Sequence, residues 1–234
     1  MNTYRKNALI GGILYITAAV TAIIGLLLYG PVLYDPEYII NGSVNGTQVI
    51  WGAFLEIILA FSVIGISAAM FPILKRYNES LAIGYVCFRL LEAAIIIVGI
   101  MSLLSIVSLS QQFANGAASD VASFITAGKL LVSLHDWTFL FGPNLALGPS
   151  TLMMSYILYR TKLVPRFIAV LGLTGGSLIL VSAVLVMLGI YTQVSAWGII
   201  CSLPVAIYEM TLAVWLIVKG FNPSAFVSES AKQI

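Results

Sequence analysis

Six ionisable residues stand in stretches otherwise too apolar for them: Glu56, Arg89, Glu92, His135, Asp136 and Glu209. Arg89 and Glu92 are three residues apart, so on a helix they share a face, and Tyr85, four residues before Arg89, extends it. On insertion scales an acidic or basic side chain at the centre of a membrane helix costs about 2.5–3.5 kcal/mol, so such residues face a bundle interior or a wet cavity and find partners there. Four carboxyls against one Arg and one His cannot all be ionised in a low-dielectric interior; some keep their protons, or a cation supplies the missing charge. The chemistry open to this set is acid–base catalysis, proton or cation movement, or the holding of one metal ion. Glu92, His135 and Asp136 are the candidate catalytic residues, and Glu56, Arg89, Glu209, Tyr85 and Asn144 the candidate substrate- or ion-binding ones. Their spacing specifies neither a metal nor a cofactor.

Counting removes several alternatives. With one histidine in the chain, di-iron His clusters, bis-His haem ligation and His-pair zinc motifs are excluded within a single copy, since each needs at least two imidazoles. No Gly-x-Ser-x-Gly, glycine-rich phosphate loop or Cys-x-x-Cys occurs, and Gly148-Pro149-Ser150 lacks the second glycine of a nucleophile elbow. Of the 234 residues, 60% are hydrophobic and 9% charged, against about 25% charged in an ordinary soluble domain. So few charges cannot coat a water-facing surface, which points away from a soluble enzyme and toward a chain whose principal partner is the lipid bilayer. A formal charge of +2 is too small to suggest a nucleic-acid partner.

The elements that must position these residues are all helical. A helix needs about 20 apolar residues to cross a hydrocarbon core of about 30 Å, and six such runs cover most of the chain: 8–29, 49–74, 81–109, 130–158, 167–190 and 196–218. The expected architecture is therefore a single all-α, six-helix transmembrane domain over 1–219, followed by a short polar tail, 220–234. Nine of the 11 Lys and Arg residues (Arg5, Lys6, Lys75, Arg76, Arg160, Lys162, Arg166, Lys219 and Lys232) flank the ends that alternate connectivity assigns to one side. The opposite loops, 30–48, 110–129 and 191–195, hold only Lys129. By the positive-inside rule both termini are expected in the cytoplasm of a multi-pass cell-membrane protein.

Smaller signals fit this frame. The first apolar run continues to Leu28, too long for the core of a secretory signal, which favours an uncleaved first span. The sequons at Asn41-Gly42-Ser43 and Asn45-Gly46-Thr47 read as turn residues in an outer loop. Cys87 and Cys201 fall at depths that differ by about 10 Å, beyond disulfide reach. Gly172 and Gly176 form a small-xxx-small pair suited to close helix contact.

Residue counting from the run ends puts Glu56, Glu92, His135 and Asp136 in one layer, about 8–14 Å below the outer surface, with Arg89 and Glu209 deeper at about 16–20 Å. Arg89 is then expected to pair with Glu92 on its own face or with Glu209 across the bundle. The fourth run carries Gly142-Pro143 and Gly148-Pro149. Its prolines remove backbone donors and kink the helix, freeing carbonyls for which Asn144 and Ser150 are the expected partners. Glu92, His135 and Asp136 are thus expected to converge on a cavity opened by that kink.

Lys75-Arg76-Tyr77-Asn78-Glu79, Gly84-Tyr85, Phe88-Arg89-Leu90-Leu91-Glu92, His135-Asp136-Trp137, Gly142-Pro143, Leu158-Tyr159-Arg160, Leu163-Val164-Pro165-Arg166 and the stretch from Glu209 to Asn222 together resemble a prokaryotic membrane-protein family known as a domain of unknown function, DUF4386. The resemblance runs end to end. It implies a small polytopic protein of a prokaryotic cell membrane and brings no activity with it. On the residues themselves the first expectation is a membrane-embedded enzyme doing acid–base chemistry on a lipid or isoprenoid-like substrate. The alternatives are a small transporter coupled to protons or a cation, and a non-catalytic sensor or immunity protein whose buried charges only hold the fold.

Overall fold

The computed structural model describes residues 3–35, 37–41, 46–117 and 121–230, and their regular structure is entirely helical. In chain order the helices are α1 (Thr3–Leu28), the short α2 (Gly30–Tyr34) and α3 (Tyr38–Asn41), α4 (Gly46–Leu74), α5 (Glu79–Gln112), α6 (Val121–Leu140), α7 (Leu147–Thr161), α8 (Arg166–Met187), α9 (Ala196–Val218) and α10 (Pro223–Ser230). A π-helical turn, Phe113–Ala117, ends the α5 run, with Gly116 in the left-handed region at φ 76°. A second π-helical segment, Phe141–Ala146, joins α6 to α7. Both sequons and residues 231–234 of the expected tail lie wholly or partly outside the described residues.

Among the described residues five helices are long and apolar enough to cross a membrane: α1, α4, α5 with its continuation to Gly116, α8 and α9. The run expected as a fourth span, 130–158, is not among the five. It is divided between α6, the π segment and α7, because Pro143 cannot donate into an α-helical ladder and the backbone widens around it. Helix ends also run past the apolar runs. α1 starts at Thr3 and takes in Arg5 and Lys6, since helical hydrogen bonding does not stop where apolarity does. Local chemistry sets the other ends: Asn78 accepts from the Leu81 amide to cap α5, Ser195 accepts from Gly198 to cap α9, and Pro165 precedes the first turn of α8.

Sequential helices pack as neighbours, α1 on α4, α4 on α5, α5 on α6 and α7, α7 on α8 and α8 on α9. α9 then returns to α1, which closes the helices into a ring. One apolar cluster, including Ile73, Leu158 and Leu216, fills the end that carries the start of α1 and the α10 segment; a second, including Val49, Leu103 and Val107, fills the opposite end. Glu56, Arg89, Glu92, His135 and Glu209 fall where residues of these two clusters meet, beside Tyr15 and Ile66 of the first and Val63 and Ile96 of the second.

The first residues of the expected tail pack against the bundle. Phe221 and Ala225 are buried, and Phe226 of α10 stacks on Tyr4 at 4.5 Å. Arg5 donates from Nη1 to the Leu216 carbonyl at 2.8 Å and from Nη2 to that of Ile217, so a cation serves the unsatisfied carbonyl end of α9. Cys87 and Cys201 are both free.

Candidate functional site

Arg89 is one of the largest buried side chains among the described residues, 2% exposed, at the level where the two apolar clusters meet. Its Nη1 donates to Glu92 Oε2 at 3.2 Å and its Nη2 to Glu209 Oε1 at 2.9 Å, so one guanidinium bridges α5 to α9 and serves two carboxylates at once. Both pairings expected of Arg89 are present together. The rings of Tyr15 and Tyr85 each lie 5.8 Å from its Cζ and line the rest of the guanidinium.

A second polar unit lies on the other side of the same space. Tyr29, just past the end of α1, donates its hydroxyl to Glu56 Oε2 of α4 at 3.1 Å. This bond depends on close approach of the two helices at paired glycines. A Cβ on Gly52 would lie 2.9 Å from Tyr29 Cε1, and one on Gly25 would lie 3.0 Å from Glu56 Cγ. The Tyr29 ring meets the His135 imidazole edge-on at 5.9 Å, and Phe139, one turn on, stacks against the other side of that imidazole at 6.2 Å.

Between the two units is a cavity of about 180 Å³ faced by Glu56, Arg89, Glu92, His135 and Glu209. Five ionisable side chains from α4, α5, α6 and α9 therefore meet in one space whose remaining wall is largely apolar. Pro143 of the π segment also faces it. Glu92 and His135 are thus brought together beside the kink, as the depths implied. Asp136 is not. Its side chain is 70% exposed and turns toward the groove beside Trp137 and Tyr191, because consecutive helical residues point about 100° apart. The His135 Nδ1 to Asp136 Oδ1 separation of 3.7 Å is too long for a hydrogen bond, and Nδ1 is buried without a partner. Tyr85 sits behind Arg89, and Asn144 is buried in the π segment; neither faces the cavity.

The freed carbonyls of the broken helix are satisfied differently from expectation. The carbonyl of Phe139, four residues before Pro143, accepts from Gln193 Nε2 in the loop before α9 at 3.0 Å. Ser150 bonds the Leu147 carbonyl at 2.9 Å. Sequence reasoning also passed over Tyr15, Tyr29 and Thr138, which border or brace the cavity. Tyr29 had a signal, a polar-tipped aromatic at the edge of an apolar run, but nothing local links it to Glu56. Among the described residues no group of three His, Cys, Asp or Glu side chains is placed to hold a metal ion.

A family model described as "Domain of unknown function (DUF4386)" matches residues 10–220. Comparison with curated proteins returns no match. Comparison with solved structures returns none either.

Proposed function

The chain belongs to the DUF4386 family, and from that premise we propose that it is a six-span carrier of the cell membrane, with both termini cytoplasmic, that moves a small solute coupled to protons. The observation that carries this reading is the meeting of Glu56, Arg89, Glu92, His135 and Glu209 at one cavity between the helices. Three carboxyls face one guanidinium there, so the site takes up a proton or a cation more readily than it holds its full charge. The broken helix beside it supports the same reading, since carriers bind solutes where spanning helices are interrupted. The span count extends the five apolar helices by the α6–α7 run, and the orientation rests on the distribution of Lys and Arg.

Size favours a small solute over the lipid or isoprenoid-like substrate expected from the sequence. Pockets for drug-sized ligands measure about 300–1,000 Å³, against about 180 Å³ for this one. Acid–base catalysis is the second reading, favoured by the imidazole of His135 lying one tyrosine ring away from Glu56.

The purified protein in liposomes holding a pH-sensitive dye tests the proposal. Under imposed gradients of sodium, potassium or benzylamine, parent vesicles should move protons at least tenfold faster than empty ones, and Glu56→Gln and Glu92→Gln should fall to the empty-vesicle rate. Absence of protein-dependent proton movement under all three gradients would defeat the carrier reading. Mass spectrometry showing a lipid chemically altered by the parent and not by His135→Phe would replace it with the enzyme.

A further inference from the structure

We propose that the cavity binds a small amphiphilic amine of about six to eight non-hydrogen atoms, its ammonium group held on Glu56; the inference rests on the carrier reading and names the class of its solute. Charge gives the first part. Arg89 is held by Glu92 and Glu209, at 3.2 and 2.9 Å, and neither of these hydrogen bonds reaches Glu56. Glu56 is buried, and its one hydrogen-bond donor is the neutral hydroxyl of Tyr29. A carboxylate in that position attracts a cation strongly, because little solvent competes for it.

The donor and acceptor types give the second part. Glu56 offers an acceptor to an ammonium, which carries only donors. His135 is 4% exposed and lines the same cavity, but its Nδ1 is buried and lies 3.7 Å from Asp136 Oδ1, so the imidazole packs beside the ammonium as part of the wall. A carboxylate does not suit an anion.

The wall gives the third part. Ala18, Ala22, Leu59, Val63 and Ile96 present hydrocarbon, and Phe139 presents a ring. A bare metal ion of the calcium or magnesium type needs about six or more oxygen ligands, and this wall does not offer them. It fits an apolar body. A dry cavity of about 150 Å³ takes up benzene, so one of about 180 Å³ accommodates a single small ring or short chain bearing an amine.

Benzylamine, benzyl alcohol and benzoate share a ring and differ in charge, so the test is their binding to the full chain in mild detergent, by calorimetry and thermal shift. Benzylamine should bind at least tenfold more tightly than the alcohol, and benzoate should not bind. Naphthylmethylamine, one ring larger, should bind at least tenfold more weakly than benzylamine. Glu56→Gln should weaken benzylamine at least tenfold while leaving alcohol binding in place. Should Glu56→Gln not fold, Ala22→Leu fills the cavity from an apolar wall position and should abolish benzylamine binding. Equal affinity for amine and alcohol, tighter binding of benzoate, or unchanged benzylamine binding in Ala22→Leu would each overturn the proposal. Binding is read without a membrane gradient. Benzylamine binding without proton movement in liposomes removes the carrier reading alone, and proton movement without benzylamine binding removes the amine alone.

Discussion

Arg89 decides the electrostatics of the interior, and the energetics of its neighbourhood are unequal in both directions. Removing one partner of a buried ion pair costs about 3–5 kcal/mol, because the other charge is left without compensation, whereas replacing all partners by neutral groups of like shape is close to neutral. Arg89 holds Glu92 and Glu209 together. Arg89→Leu should therefore lose about 3–5 kcal/mol of stability, and adding Glu92→Gln and Glu209→Gln to it should recover most of that loss. Unfolding in mild detergent measures both, and a triple variant no more stable than Arg89→Leu would show that the guanidinium acts through packing on Tyr15 and Tyr85. On the other side of the cavity, Tyr29→Phe keeps the ring against His135 and removes only the donor to Glu56. It should cost about 1–3 kcal/mol, the range for a buried group left without its hydrogen bond. No measurable change in stability would mean that Glu56 finds another donor.

The element that shapes the site is the interrupted helix from α6 through the π segment to α7. Pro143 withholds an amide from the Phe139 carbonyl, and Gln193 supplies the missing donor at 3.0 Å from a loop 54 residues further along the chain. The break is thus held open and satisfied by a neighbour, which is how irregular backbone survives at membrane depth. Gln193→Ala should destabilise the parent by about 1–3 kcal/mol, the penalty for a carbonyl left unsatisfied. In a Pro143→Ala background the residue-143 amide can donate to the same carbonyl, so the second loss should be smaller. Equal losses in the two backgrounds, in a double-mutant cycle, would disconnect Gln193 from the kink.

At the scale of the whole molecule, the helices form a ring in which α9 returns to α1, and the cavity lies where residues of the two apolar clusters meet. The start of α1 and the α10 segment meet at one end, through the stacking of Tyr4 on Phe226 and the reach of Arg5 to the end of α9. With these two segments at one end, the proposed cytoplasmic side also carries the α4–α5 and α7–α8 turns. Single cysteines at Glu37 and Gln112, in a background lacking Cys87 and Cys201, should label with a membrane-impermeant reagent in intact cells. Cysteines at Glu79 and Ser224 should label only after lysis. The reverse pattern would invert the topology, and labelling of Glu79→Cys together with Gln112→Cys from outside would remove the α5 span.

The sequence alone determined that the chain is a helical membrane protein and roughly where its helices run, because apolar length and charge spacing are local quantities that the bilayer reads directly. It also determined that Arg89 and Glu92 share a face, since a three-residue offset fixes that within one helix. Tertiary structure decided the rest of the site. Neighbours at 135 and 136 look equivalent in sequence, yet the rotation of α6 about its axis turns His135 into the cavity and leaves Asp136 exposed, and that rotation is set by packing against α5. Depth counting separated Arg89 from the Glu92 layer, while a long flexible side chain spans the difference and binds both Glu92 and Glu209. Tyr29 with Glu56, and Gln193 with Phe139, are pairings between distant parts of the chain. Such pairings exist only once the ring has closed, because their energy comes from excluding water and lipid from groups that no local pattern brings together.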